Sequence, residues 1–182
     1  MATRTWATAA LTATLLAACA APETAPDTTA PETAAPHSTS SAPDQATITW
    51  VDGVCQAQQL LVWNQPPPVP NPVTEADRPA VVAYLTDVRN RFTQATTLID
   101  GLDPTPAGEQ VVRHLRTVLG EQADAFAEHV QHAQMFPAPE FGAPYRLAQM
   151  DLASWTVGSP SLTDLATSNP TVAAAQRQAP NC

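Results

Sequence analysis

Between residues 78 and 102 the apolar positions Val81, Leu85, Val88, Phe92, Ala95, Ile99 and Leu102 advance by alternating steps of four and three. Each step returns to the same face of an α-helix, so the pattern predicts a helix with a continuous seam of a and d type. Pro79 falls in its first turn, where a missing N–H is tolerated. Asp103-Pro104-Thr105-Pro106 stops this helix and predicts the start of the next, with Thr105 as N-cap and Pro106 in the first helical position. The second pattern runs to about Met135 with Val112, Leu115, Leu119, Ala123, Phe126, Val130 and Ala133 as its buried stripe. A connection this short makes the two helices antiparallel neighbours.

Weaker patterns flank this pair. Residues 46–63 read as an amphipathic helix despite Gly53, with Ile48, Val51, Cys55 and Val62 near one face and Trp50, Val54, Ala57 and Leu61 on the adjoining one. Asn64-Gln65-Pro66-Pro67-Pro68-Val69-Pro70-Asn71-Pro72 then forbids helix and predicts a stiff connection lying across the domain. Across 136–160, Pro137, Pro139, Gly142 and Pro144 predict a broken stretch, with a short helical segment from Tyr145 to Trp155. Ser161 with Asp164 reads as a capping pair, and Asn169-Pro170 as a restart or kink in a last helix ending near Gln178. No useful run alternates with period two. The expected fold is all-α, with four main antiparallel helices in a bundle over residues 46–182 and no β-sheet.

Residues 20–45 change character. A loose Ala-Pro-acid-Thr unit recurs at Ala21-Pro22-Glu23-Thr24, Ala25-Pro26-Asp27-Thr28 and Ala30-Pro31-Glu32-Thr33. With no aliphatic side chain larger than Ala to bury, residues 19–45 are expected to be a disordered tether that keeps the domain at a distance from its attachment point. Before it, Met1 and Arg4 precede an apolar run ending at Ala18, too short to span a bilayer and of the form of an export leader over residues 1–18. The charge balance argues against polyanion binding. Seventeen acidic residues stand against eight basic ones, all Arg, for a net charge of −9. No basic face is available to displace counterions from nucleic acid or from an anionic membrane.

Three cysteines complete this picture. Leu16-Ala17-Ala18-Cys19 resembles the lipobox of bacterial lipoproteins, in which two small residues precede a cysteine that receives a diacylglyceryl group and becomes the mature N-terminus. That resemblance assigns Cys19 to lipid and leaves Cys55 and Cys182 as an even pair. In an oxidising compartment they are expected to bridge; the alternative is one buried thiol and one free at the terminus. The lipobox, the Ala/Pro/Thr tether, the Cys55 region and the terminal Ala179-Pro180-Asn181-Cys182 together resemble the small helical lipoproteins of actinobacteria, a group without an assigned activity. The resemblance implies a lipid-anchored protein on the extracytoplasmic face of the cell membrane, reaching an unknown envelope protein or small ligand.

Candidate chemistry is sparse. His129, His132 and Met135 are side-chain types that copper or zinc accepts, with Glu128 adjacent. Three-residue steps drift by about 60° each around a helix, so the three do not readily converge on one ion, and exposed histidines beside a core stripe are the plainer reading. Trp50, Trp63 and Trp155 can line a groove for an apolar ligand or belong to the core and its rim. His114 lacks an obvious nucleophile partner, His37 stands alone in the tether, and the Asp124/Glu128 pair reads as a solvated helix face. No His-Glu-x-x-His helix, Gly-x-Ser-x-Gly elbow or phosphate loop occurs. A non-enzymatic binding or interaction module without a cofactor is therefore expected, with an envelope metal protein or an apolar-ligand carrier as alternatives.

Overall fold

A computed structural model describes residues 42–63 and 65–182. The leader, Cys19, the tether up to residue 41 and Asn64 lie outside the described residues. Among those described, the chain is helical and free of strands: α1 (Gln45–Leu60), α2 (Arg78–Asp100), α3 (Glu109–Met135), α4 (Ala138–Ser154), α5 (Leu162–Ser168) and α6 (Pro170–Gln178), with a short 3-10 turn, Glu75–Asp77, leading into α2. The all-α class holds, but six helices replace the four expected.

The strongest sequence pattern becomes the centre of the domain. Val81, Leu85, Val88, Phe92, Ala95 and Ile99 are all buried along α2, which packs most extensively on α3. Leu102 lies beyond the helix end, where it packs over Gly53 of α1. A β-carbon at Gly53 would overlap the Leu102 side chain, so this glycine sets the close approach of α1 to the α2–α3 turn.

Two further helix limits differ from the sequence reading. First, α1 stops at Leu60, and Val62, expected on its buried face, is 70% exposed. The chain leaves the helix here because Trp63 is drawn onto Phe92, at 4.9 Å between ring centroids, ahead of prolines that cannot continue the ladder. Second, α3 begins at Glu109, not at Pro106, with Gly108 in the capping position. Thr105 is unavailable as a cap because its hydroxyl accepts the Trp50 indole N–H at 3.1 Å, while its carbonyl accepts from Gly108 N at 2.7 Å to form a preceding turn.

The stretch expected to be broken by Pro137, Pro139, Gly142 and Pro144 instead forms α4, with Pro139 in the first turn and Pro144 inside the helix. Phe141, Tyr145, Ala148 and Leu152 are buried at helical spacing, and their burial offsets the loss of the hydrogen bond that Pro144 cannot donate. The Tyr145 hydroxyl also donates to the Pro67 carbonyl at 3.2 Å, tying the proline-rich connection across α4. The ends of α3 and α4 are completed from elsewhere in the chain. Glu75 Oε1 accepts from Ala138 N at 2.7 Å at the start of α4, and its other oxygen accepts from Arg78 Nε and Nη2 at 2.8 and 2.6 Å. Arg78 in turn donates to the Ala133 carbonyl in the last turn of α3 and lies over the Phe141 ring at 4.7 Å. A carboxylate thus meets a helix N-terminus and a guanidinium meets a helix C-terminus, each favoured by the helix dipole. Substituting Glu75→Ala is expected to speed amide hydrogen exchange in the first turn of α4 while leaving α5 unchanged. Equal rates at both helices would refute the capping role.

At the C-terminal end, Asn169 is extended and its side chain accepts from Thr171 N at 3.0 Å and Val172 N at 3.3 Å, so α6 restarts after α5 and does not continue it. The Ser161/Asp164 capping box at the head of α5 is present as expected. The C-terminal helix α6 packs on α1, and the chain beyond it is locked there. Cys55 and Cys182 form a disulfide with their Cα atoms 5.2 Å apart, which removes the alternative of two separate thiols. Asn181 donates from its backbone and side-chain nitrogens to the two Asp52 oxygens, at 2.7 and 2.8 Å, and its carbonyl accepts from Gln59 Nε2 at 2.7 Å.

Candidate functional site

A two-residue connection joins α3 to α4, so α4 folds back along α3 and its last turns stand beside the middle of that helix. Between them opens a cleft of about 370 Å³. Its α3 side carries Gln122, Phe126 and His129, which step by four and three and so share a face; its other side carries Asp151, Ser154, Trp155 and Thr156.

Aromatic packing sets the floor. Phe92 of α2 stacks on Phe126 at 5.7 Å and meets Trp155 edge-on at 5.3 Å, and Trp63 closes on Trp155 at 6.5 Å. Phe126 is buried, while Trp155 is half-buried, and both line the cleft. The tryptophans therefore divide. Trp63 and Trp155 pack together in the aromatic cluster, whereas Trp50 is buried beneath Gly108, where a β-carbon would come within 2.8 Å of its ring.

The rim is polar. The His129 ring sits edge-on to Phe126 at 5.5 Å, and burial holds its pKa below the ordinary 6.5, an effect partly offset by the Asp151 carboxylate across the cleft. His129 is therefore uncharged near neutrality and able to donate from one ring nitrogen and accept at the other. The Ser154 hydroxyl donates to the Met150 and Asp151 carbonyls at 3.0 and 3.2 Å, which leaves its oxygen as an acceptor. Asp151 belongs to none of the three ion pairs formed among the described residues.

The histidines and methionine singled out from the sequence have separate surroundings. His129 faces the cleft; His132 is exposed with its ring 4.6 Å from Phe136; Met135 ends α3 at 68% exposure. Among the described residues no three His, Cys, Asp or Glu side chains are grouped to hold a metal ion. Nε2–H of His114 donates to the Val157 carbonyl at 2.9 Å, a contact that holds the α4–α5 connection, and Asp124 and Glu128 are exposed on α3. Asp151, Ser154 and Thr156 were not identifiable from sequence as partners of Gln122 and His129, because only the reversal of chain direction at Phe136-Pro137 brings them to that face of α3.

The shifted histidine has a consequence for stability. Its folded-state pKa lies below 6.5, so the unfolded chain takes up the proton first, and stability that is whole above that value falls as the pH drops through it. Asp44, Glu75, Asp77 and Asp164, each held low mainly by hydrogen bonds, lose their contributions only below their ordinary values of 3.8 to 4.5. Urea midpoints measured against pH are expected to decline in two stages, and His129→Gln to abolish the upper one. An unchanged upper stage in that variant would disprove the assignment.

Comparison with known proteins returns no matching family model, no matching curated protein and no matching solved structure.

Proposed function

We propose that this chain is a membrane-anchored, extracytoplasmic lipoprotein whose helical domain serves as a non-enzymatic binding or interaction module of the cell envelope. The Cys55–Cys182 bond carries the reading. A disulfide closing a small domain belongs to an oxidising compartment outside the cytosol, and it leaves Cys19 as the one cysteine of three outside that pair. Cys19 ends a short apolar leader at Leu16-Ala17-Ala18, the position at which a lipoprotein acquires its diacylglyceryl group. No helix among the described residues is long and apolar enough to cross a membrane, so attachment through Cys19 does not duplicate another membrane span there.

Palmitate labelling and cell fractionation test the proposal. The native chain is expected to incorporate label and to partition with membranes. Cys19→Ala is expected to lose the label and leave the membrane fraction. A Cys19→Ala chain that stays in the membrane fraction would rule out the anchor.

A further inference from the structure

The α3–α4 cleft is lined by Phe126 and Trp155 together with five polar side chains, Gln122, His129, Asp151, Ser154 and Thr156. Three classes of occupant are disfavoured by its lining. An anion meets no Arg there and faces the Asp151 carboxylate in a chain of net charge −9. A purely apolar molecule would strip water from Asp151, Gln122 and His129 without replacing their hydrogen bonds. A large macromolecular surface does not enter a recess of about 370 Å³.

What fits is a ligand with one apolar face for the exposed part of Trp155 and several groups around its edge that both donate and accept. Gln122 and His129 offer donors and acceptors, Thr156 a hydroxyl, Ser154 an acceptor oxygen and Asp151 an acceptor pair. We infer that the cleft binds a neutral saccharide, one or two rings of it, with a C–H face of the sugar laid on Trp155 and its hydroxyls hydrogen-bonded to Asp151, Gln122 and His129. This deepens the proposed binding role, since it names the ligand class of the module, but it does not depend on the lipid anchor. The size agrees: small-ligand pockets begin at roughly 300 Å³.

The test uses the purified full chain, titrated by calorimetry with maltotriose and chitotriose as neutral probes, spermidine as a cationic probe and 1-octanol as an apolar one. At least one trisaccharide is expected to bind saturably, with Kd of about 1 mM or tighter, and its binding to quench or shift tryptophan fluorescence. Gln122→Ala and Asp151→Asn, both at sites not fully buried, are each expected to weaken binding about tenfold with an unchanged circular dichroism spectrum. Trisaccharide binding that ignores both substitutions would place the site elsewhere and overturn the inference. So would the absence of saturation by either trisaccharide up to about 10 mM, or saturable binding of spermidine or octanol alone. Failure here leaves the fractionation result at Cys19 untouched, so the two proposals fall separately.

Discussion

Reduction of the Cys55–Cys182 bond is expected to lower the unfolding free energy by about 5 kcal/mol, the chain-entropy value for a closed loop of this length. The two cysteines are separated by 127 residues, so the bond spans most of the described residues and restricts the unfolded ensemble throughout that span. Domains of this size have total stabilities of roughly 5–15 kcal/mol, so the reduced form is expected to sit near the edge of folding. Native contacts at the same place do not replace the bond. The Asp52–Asn181 and Gln59–Asn181 hydrogen bonds hold the terminus in the folded state but leave the unfolded chain unrestricted. Urea unfolding with and without reductant, and of the Cys55→Ala/Cys182→Ala double variant, is the measurement. A midpoint that stays within error in both would show that the closure contributes little.

Truncation at Phe92 is the next largest effect, an expected loss of about 3–5 kcal/mol for Phe92→Ala. Phe92 is fully buried at the middle of the α2 seam and touches three other rings: Trp63 at 4.9 Å, Trp155 at 5.3 Å and Phe126 at 5.7 Å. Removing it opens a cavity bounded by α2, α3 and the segments after α1 and α4, which are joined through these rings. Phe92→Leu retains most of the volume and is expected to lose less, whereas Val62→Ala, at a 70% exposed position, is expected to fall within about 0.5 kcal/mol of the native chain. Chemical denaturation monitored by tryptophan fluorescence separates these cases. A Phe92→Ala midpoint no lower than that of Val62→Ala would contradict the central place given to this ring cluster.

The cleft depends on the same cluster. Trp155 is held against Phe92 and Trp63 and lines the cleft together with Gln122, His129 and Asp151. Substitution at Phe92 is therefore expected to disturb any ligand site between α3 and α4, which is why polar rim positions are the better probes of binding.

Local sequence determined those parts of the protein whose information lies within a few residues. The all-α class, the α2 seam and most of the α3 stripe follow from periodicity, because a helix repeats its buried positions every three or four residues regardless of what covers them. The Ser161 cap was legible for the same reason: donor and acceptor are three residues apart. The pairing of Cys55 with Cys182 followed from an even count once Cys19 was set aside.

Contacts between residues far apart in the chain decided the rest. Helix α4 forms across two prolines and a glycine because Glu75, from before α2, completes its first turn, and because Phe141 and Tyr145 find a core to enter. Thr105 does not cap α3 because the Trp50 indole claims its hydroxyl, and α1 ends early because Trp63 has Phe92 to join. Local propensity is worth tenths of a kilocalorie to about 3 kcal/mol per residue, and burial or a buried hydrogen bond from a distant segment is of the same size. Where the two compete, the tertiary partner settles the outcome, and the α3–α4 cleft exists only because it does.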